Sequence, residues 1–581
     1  MAELGGESGR VTTDSRMTDS PTAATDSLAA DLASPRSVGI DKPFWREHQR
    51  ETVEEALGLF AGHKVVLLDA PTGSGKTVTG GALGGVYGRA IYLTETIGLQ
   101  TQYLATLDGA VTATGRRNHI CPLARTVRGE PVTADDAPCP CPVASSYEPC
   151  SYYAQWFDAE EARDAVLNYA YAVRVLQAGG IRFGKEQGDV MRSPFRGRDL
   201  MVCDEGHLLE RALRSAGTIE LFANSMKRAG VRVPAARNWS TEEWRGWART
   251  ELSRCAEEWG PVDEAFEVAV TTTGQVSVSS LQDVRRIKSA RNVLRQLSQL
   301  RDAVLVVPSS FGWRFEPLWV WDGLANDLLF RHVPRVLIMS ATLGSPALLA
   351  RLLGFGEEEW AEIHVQSTFP VARRPVYYWP VAKMSAKTGE WEQSKIIGAL
   401  NYVATLGRFA TRKGVVHCAS YRLAKWIYTH EDLDPAVRAR MIVHDSEHRE
   451  EAFRQFTTAV DSDPAILVSP AAWTGVDWPY HHDWQFIPKV PFADLTDDVT
   501  RARFEYVDER GERIGRKVYA HEAASTLVQG VGRGVRAEDD RCVTVIADKN
   551  FWTLYRHTAP EAFPEWFRAS VSWYKPKEVK S

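Results

Sequence analysis

The chain has 581 residues, a formal net charge of −5, 44% hydrophobic residues and 25% charged residues, which is an ordinary globular composition with room for about three to four domains. Because there is no global basic charge, a nucleic-acid-binding surface has to be local, in a groove or on one domain face. The sequence has no apolar run of about 18 residues and no basic-then-apolar N-terminus, so we expect neither a membrane span nor a signal peptide.

The first 40 residues are rich in Ser, Thr, Ala, Asp and Gly and show no apolar periodicity, which predicts a disordered tail over 1–40. From Phe44 onward, short apolar runs recur with helix-like segments between them, for example KVVLLDA, DLMVCDE, RVLIMSAT, GVVHCAS and CVTVIAD. Such runs are typical of buried parallel strands, and they predict an α/β fold.

The segment DAPTGSGKT (69–77) follows the apolar strand KVVLL and precedes a predicted helix, the context that a phosphate-binding loop requires. Its glycines let the backbone curl so that N–H groups face phosphate oxygens. Lys76 can reach the β- and γ-phosphates, and the Thr77 hydroxyl can hold Mg²⁺. The first glycine of the usual pattern is missing. The predicted nucleotide-binding residues here are Ala70, Pro71, Thr72, Gly73, Ser74, Gly75, Lys76 and Thr77.

Four of the eight cysteines, Cys121, Cys139, Cys141 and Cys150, fall within thirty residues. Eight cysteines in a chain of this length are no disulfide framework, so we expect an intracellular setting in which a cysteine cluster binds metal or does redox chemistry. Four thiolates suit either a structural Zn²⁺ site or a [4Fe–4S] cluster, and the spacing alone leaves both open.

An apolar strand ends in Asp204 and Glu205 within DLMVCDEGH (199–207). Alone, such a pair is equally typical of a solvated acidic turn. Downstream of a phosphate loop it indicates that Asp204 holds Mg²⁺ and that Glu205 orients or deprotonates the water attacking the γ-phosphate. The segment from 212 to 320 then changes to long amphipathic patterns, and Ser240 with Glu243 predicts a capping box that opens one helix.

The segment STLVQGVGRGVR (525–536) predicts a helix on which Arg533 and Arg536 share one face, with Gln529 on the same side. These arginines could reach across a cleft to the γ-phosphate. A solvated basic face is the alternative, but the glycines at 530, 532 and 534 argue against a purely structural helix.

These elements, in this order, resemble those of superfamily 2 helicases. Other segments fit the same pattern: FWREHQRE (44–51), with Arg46 and Gln49, resembles the element that reads adenine; IYLTETIGLQTQ (91–102) resembles motif Ia, which grips the nucleic-acid backbone; MSATL (339–343) resembles motif III; and SPAAWTGVDWP (469–479), with Asp477, resembles motif V at the nucleotide site.

The closer resemblance is to the XPD/DinG family of iron–sulfur DNA helicases, over about residues 44–560. The family opens its cysteine cluster with a segment similar to GRRNHIC (115–121), placed between motif Ia and motif II. The resemblance implies that the four clustered cysteines hold a [4Fe–4S] cluster. It also implies an Arch-like domain at the helical insertion, translocation 5′→3′ on single-stranded DNA, and a monomeric motor acting at duplex junctions.

The resemblance implies two RecA-like motor lobes with two insertions. The expected divisions are a tail (1–40), lobe 1 in three parts (41–115, 155–211 and 321–366), an iron–sulfur domain (116–154), a mostly helical Arch-like insertion (212–320) and lobe 2 (367–581). ATP would lie between the lobes, with Lys76, Thr77, Asp204 and Glu205 on one side and Gln529, Arg533 and Arg536 on the other. Two alternatives stay open: a DNA translocase that displaces proteins without unwinding, and a zinc-stapled non-motor nucleic-acid-binding protein.

Overall fold

The structure is a computed structural model. It describes residues 32–125, 131–133, 151–177, 181–183, 190–235, 238–273, 278–385, 389–460, 464–473, 478, 480–537 and 539–574. Within these ranges, no helix combines the length and the apolar character needed to cross a membrane.

The strands in chain order are β1 (Val65–Asp69), β2 (Ala90–Thr94), β3 (Val111–Thr112), β4 (Ile120–Arg125), β5 (Pro131–Thr133), β6 (Asp164–Asn168), β7 (Ile181–Phe183), β8 (Val190–Arg192), β9 (Leu200–Asp204), β10 (Ile219–Phe222), β11 (Val304–Ser309), β12 (Gly312–Pro317), β13 (Val336–Ser340), β14 (Trp360–His364), β15 (Val376–Ala382), β16 (Gly414–His417), β17 (Met441–Val443), β18 (Ile466–Ser469), β19 (Trp484–Ile487), β20 (Val543–Asp548) and β21 (Val571–Trp573).

The α-helices in chain order are α1 (Gln49–Leu59), α2 (Lys76–Tyr87), α3 (Ile97–Thr106), α4 (Ser151–Glu161), α5 (Tyr169–Gln177), α6 (Leu209–Ala216), α7 (Ala223–Arg228), α8 (Thr241–Thr273), α9 (Val278–Ser298), α10 (Leu324–Leu328), α11 (Pro346–Leu352), α12 (Glu390–Thr405), α13 (Tyr421–Thr429), α14 (Pro435–Ala439), α15 (Arg449–Thr458), α16 (Asp498–Glu505), α17 (Ile514–Gly532), α18 (Asn550–Thr553) and α19 (Glu565–Ser570).

Lobe 1 is built on a seven-stranded parallel sheet with the order β14-β1-β13-β9-β2-β6-β3. Its central strands are continuous apolar runs because helices cover both faces and bury them. Asp69 is level with Ser340, and Met339 is level with Asp204. The carboxyl ends of β1, β13 and β9 therefore meet at one edge of the sheet.

Lobe 2 is built on a second seven-stranded parallel sheet with the order β17-β18-β16-β19-β20-β15-β21. Helix α17 packs its apolar face on this sheet, with Ala524, Leu527 and Val528 fully buried. Two parallel sheets of this kind confirm the predicted α/β class with two RecA-like lobes.

The insertion between α6 and α10 contains the two long helices α8 and α9, packed against each other, and an antiparallel sheet with the order β10-β12-β11. Ser240 and Glu243 form the predicted capping box: the Ser240 N–H donates to Glu243 Oε2 at 2.7 Å, and the Glu243 N–H donates to Ser240 Oγ at 3.3 Å. The sequence analysis did not predict the three-stranded sheet.

The expected disordered tail over 1–40 is wrong for its last nine residues. Leu32, Val38 and Ile40 are at most 5% exposed and pack in the core of lobe 1. Ile40 also forms a β-bridge with Leu107. These apolar side chains are too few and too widely spaced to show periodicity, so the sequence pattern did not reveal that they pack. Residues 1–31 lie outside the described residues.

Candidate ATP-hydrolysis site

The predicted phosphate loop forms a turn between β1 and α2, and Lys76 is the first residue of the helix. Gly73 and Gly75 have φ values of +84° and +82°, a left-handed conformation that glycine adopts without strain. Lys76 Nζ donates to the carbonyl oxygens of Ala70 at 3.1 Å and Pro71 at 3.5 Å. Ser74 Oγ also donates to the Pro71 carbonyl, at 2.8 Å. The lysine thus lies folded into its own loop, at the N-terminus of a helix that favours anions.

Two side chains, those of Gln49 and Phe369, pack against this loop. Gln49 Nε2 donates to the Ser74 carbonyl at 3.1 Å, and Gln49 Oε1 accepts from the Arg46 N–H at 2.9 Å. A Cβ at position 75 would collide with the Gln49 amide, and a Cβ at position 73 would collide with the ring of Phe369. The structure therefore brings the predicted residue Gln49 to the loop, whereas Arg46 contacts Gln49 through its backbone and its side chain is exposed. The structure also adds Phe369, which carried no motif signal.

Asp204 ends β9 and is 4% exposed. Tyr103 Oη donates to Asp204 Oδ2 at 3.2 Å, and Tyr169 Oη donates to the Asp204 carbonyl at 2.6 Å. Burial, and then the charge of Glu205, raise the pKa of Asp204 to about 6, while Lys76 opposes the shift. Sequence reasoning missed both tyrosines. Only the position of Tyr103, directly after the motif Ia segment, could have pointed to one of them.

Glu205 occupies the left-handed region with φ +52°, a strained conformation for a non-glycine residue. Burial favours its protonated form, but neighbouring groups outweigh burial and lower the pKa of Glu205. A carboxylate kept ionised beside cations suits the orientation of a nucleophilic water. The neighbours that lower this pKa are His207, when its ring is protonated, and the cations Lys76, Arg533 and Arg536.

His207 connects the two lobes. Gln529 Nε2 donates a hydrogen bond to His207 Nε2, so Nδ1 carries the ring proton and donates to Ser340 Oγ at 2.8 Å. The same Gln529 amide donates to Thr342 Oγ1 at 2.9 Å. Burial lowers the pKa of His207 to about 4, which keeps the imidazole neutral at pH 7. Sequence reasoning gave His207 no role, although it lies in the DEGH segment.

Helix α17 ends at Gly532, so the prediction that Arg533 and Arg536 share a helix face is wrong. Arg533 is the C-cap residue of the helix. Arg536 follows in a loop, and the backbone N–H of Arg536 donates to Asp540 Oδ2 at 3.0 Å. Glycines at the alternate positions 530, 532 and 534 weaken this end of the helix, because glycine is a poor helix former. A Cβ at Gly532 would lie 3.8 Å from Thr72 Oγ1. The start of this loop thus approaches the phosphate loop.

A cavity of about 1220 Å³ adjoins this network between the two lobes and the insertion. Helices α6, α16 and α17 and strand β12 border it, and its lining mixes acidic and basic side chains. His207 and Gln529 line one part of it, so the interlobe network opens onto this space.

Several predicted residues lie outside the described residues: Asp477, Cys139, Cys141 and Cys150. Of Cys121, only the backbone is described, as part of β4. Within the described part of the chain, no group of three or more His, Cys, Asp or Glu side chains could hold a metal ion. The described cysteines Cys203, Cys255, Cys418 and Cys542 are buried free thiols.

Comparison with known proteins agrees with this architecture. Residues 405–570 match the family described as the helicase C-terminal domain. The ATP-dependent DNA helicase YoaA of Escherichia coli (strain K12) is 34% identical over 125 residues, which cover 20% of this chain and 19% of that relative. The aligned region therefore spans about a fifth of the curated relative.

Solved structures of XPD proteins share the fold. Xpd4 of S. tokodaii superposes with a TM-score of 0.56 at 15% identity, covering 91% of this chain and 100% of the other. A second XPD helicase structure gives a TM-score of 0.54 at 14% identity, covering 91% of this chain and 99% of the other. Together with the motifs, these findings confirm the predicted resemblance to XPD/DinG-type superfamily 2 helicases.

Proposed function

We propose that this protein is an ATP-dependent DNA helicase that translocates on single-stranded DNA, 5′→3′, and separates duplex strands. The observation that carries this proposal is the meeting of both lobes at one site. Gln529 of lobe 2 is bonded to His207 and Thr342 of lobe 1, and the charges of Arg533 and Arg536 act on Glu205. A site completed by two lobes can convert hydrolysis into a change in their separation.

The residues of lobe 1 fit Mg²⁺ and ATP. Thr77 Oγ and the carboxylate of Asp204 are the hard oxygen donors that Mg²⁺ prefers, and a cation there would stabilise the ionised form of a carboxyl whose pKa burial has raised. When ATP binds, the Lys76 ammonium group would exchange the carbonyl oxygens of its own loop for phosphate oxygens, which are acceptors of the same kind and carry negative charge. Glu205 would orient the water, and Arg46, Gln49 and Asp477 would contact the nucleotide.

Lobe 2 would supply the cations for the developing phosphate charge. Arg533 and Arg536 already act electrostatically on Glu205. Guanidinium groups that come closer to the phosphate as the lobes close stabilise the transition state more than the ground state. ATP turnover would therefore report lobe closure.

We further propose that Cys121, Cys139, Cys141 and Cys150 hold a [4Fe–4S] cluster. The support is the family resemblance of GRRNHIC and the four-thiolate composition. In this proposal the cluster staples the segment 116–154, which is too small and polar to fold alone. The protein would act as a monomer at junctions of single- and double-stranded DNA, in the cytoplasm or associated with the nucleoid.

The test is ATP-dependent strand separation under anaerobic conditions, on duplexes with a 5′ tail and on duplexes with a 3′ tail. Unwinding from the 5′ tail alone supports the proposal, and unwinding from the 3′ tail alone contradicts the polarity. Strong DNA-stimulated ATP turnover without unwinding from either tail indicates a translocase instead. No ATP turnover with either DNA would refute the motor assignment, and Lys76→Ala serves as the inactive control.

A further inference from the structure

A chain of charged side chains, largely buried except for Glu522, runs beside the interlobe cavity and joins four elements. Arg503 on α16 lies with Nη2 3.2 Å from Glu210 Oε1 on α6 and 3.5 Å from Glu522 Oε1 on α17. On α6, Arg214 lies 3.6 Å from Glu210 and donates to Glu316 on β12 at 2.6 Å. The order Glu316–Arg214–Glu210–Arg503–Glu522 thus alternates in sign from the Arch-like insertion to lobe 2.

The two residues of the His207–Gln529 hydrogen bond lie next to or on the helices that Arg503 contacts. Helix α6 begins directly after the turn that holds His207, and Glu210 is its second residue. Glu522 precedes Gln529 by seven residues on α17, two helical turns, so both side chains project from the same face. A change in the His207–Gln529 contact would therefore shift both carboxylate partners of Arg503.

Arg503 is largely excluded from solvent. Its side chain is 9% exposed, and the guanidinium stacks 4.6 Å from the ring centroid of Trp319. Trp319 belongs to an apolar cluster in which Leu348 of α11 packs with Ile514 of α17, so this cluster is a contact between the lobes. Leaving a buried charge unpaired is costly, and Arg503 must keep a carboxylate partner whenever the lobes move.

We propose that Arg503 is a positioning residue that couples the Arch-like insertion to closure of the ATP cleft. This inference rests on the proposed function. When lobe 2, which carries both Arg503 and Glu522, moves against lobe 1, Arg503 redistributes between Glu522 and Glu210, and Glu210 passes the change to the insertion through Arg214 and Glu316. The coupling is carried by discrete ion pairs, each of which is either made or broken.

The test compares Arg503→Gln, the double variant Glu210→Gln with Arg503→Gln, and the control Arg501→Gln. The single variant leaves Glu210 buried without this partner and is expected to lower Tm. The double variant removes both charges, so it separates coupling from folding. Arg501 lies on the same helix, pairs with Asp498 and is half exposed, so its loss should change nothing.

Two measurements are made on each protein. The first is ATP turnover with and without single-stranded DNA. The second is fluorescence resonance energy transfer between two dyes, with and without a non-hydrolysable ATP analogue. The dyes are attached to unnatural amino acids introduced at position 257 in the insertion and at position 431 in lobe 2. We expect the double variant to keep the Tm of the wild type. We also expect its basal ATP turnover to stay within about twofold of the wild-type rate. We expect it to lose about tenfold in DNA stimulation and to lose the nucleotide-dependent transfer change.

A double variant with full DNA stimulation and an unchanged transfer signal would overturn the inference. If the wild-type protein shows no ATP turnover but its energy transfer still changes with nucleotide, the proposed function is refuted and the inference on Arg503 is not. In that case, the transfer signal of the double variant still decides the role of Arg503.

Discussion

The imidazole of His207 accepts a hydrogen bond from the side-chain amide of Gln529, 322 residues later in the chain. The first residue lies just beyond the acidic pair of lobe 1, and the second lies in the last turn of α17 in lobe 2. Because Thr342 accepts from the same amide, one side chain links three segments around the site.

Gln529→Ala should lower DNA-stimulated ATP turnover by roughly tenfold to a hundredfold, since loss of a buried hydrogen bond costs about 1–3 kcal/mol and leaves His207 Nε2 without this donor. Steady-state kcat, measured with saturating DNA, checks this. Thr526→Ala on the same helix is the matched control, because its hydroxyl bonds only its own helix backbone, at Glu522. An unchanged kcat in Gln529→Ala would show that the bridge is dispensable.

Lys76→Ala should abolish ATP turnover with little change in Tm. The ammonium group that would meet the phosphates is lost, and its hydrogen bonds reach only carbonyls of its own loop. Turnover and thermal unfolding are measured on the same preparation. The exposed Lys42, changed to Ala, is the control for the loss of a lysine. Normal turnover in Lys76→Ala would refute the phosphate-loop assignment.

Arg536→Ala should spare ATP binding, lower kcat, and move the acidic limb of the pH–rate profile to higher pH. The sign follows from the charge of Arg536, which helps to lower the pKa of Glu205, so removing it lets that pKa rise. A nucleotide-binding assay and kcat between pH 4.5 and 8 test both parts. The exposed Arg541, changed to Ala, is the control. If the acidic limb keeps its position, Arg536 does not act on Glu205.

The free energy of unfolding should fall between pH 7.5 and pH 5.5. Burial lowers the pKa of His417 and of His482 to about 3, so the unfolded chain binds protons below about pH 6.5 that the folded chain does not. Each histidine then costs about 1.4 kcal/mol at pH 5.5. Denaturant unfolding at both pH values measures this.

In that experiment, the free energy of unfolding of His417→Phe should fall less between pH 7.5 and pH 5.5 than that of the wild type, because one buried histidine is gone. The exposed His448, changed to Phe, should keep the wild-type difference between the two pH values. Equal pH dependence in wild type and His417→Phe would contradict a neutral buried His417.

Cys150→Ser should lose the brown colour and the bound iron, and with them strand separation, while ATP turnover can persist because the proposed hydrolytic residues lie elsewhere. Iron and zinc per chain are measured together with the visible absorbance. Cys255→Ala, at a buried thiol in the insertion, should keep its iron. Stoichiometric zinc without iron in the wild type would contradict the iron–sulfur proposal.

The sequence by itself determined the features that depend on neighbouring residues. Buried strands read as apolar runs, glycines at 73 and 75 allow a left-handed turn, and Ser240 with Glu243 caps a helix, because backbone dihedrals and capping bonds extend only a few residues. Motif order supplied the two-lobe architecture.

Only the tertiary structure decided which of these features meet. The sheet order brings β1, β13 and β9 side by side, and packing of α17 on lobe 2 brings Gln529 to His207. It also decided that α17 stops before Arg533, that Leu32 packs in lobe 1 and that Arg503 is buried between Glu210 and Glu522. No local pattern encodes such contacts, because burial and electrostatic pairing arise only when segments distant in sequence exclude water from one another.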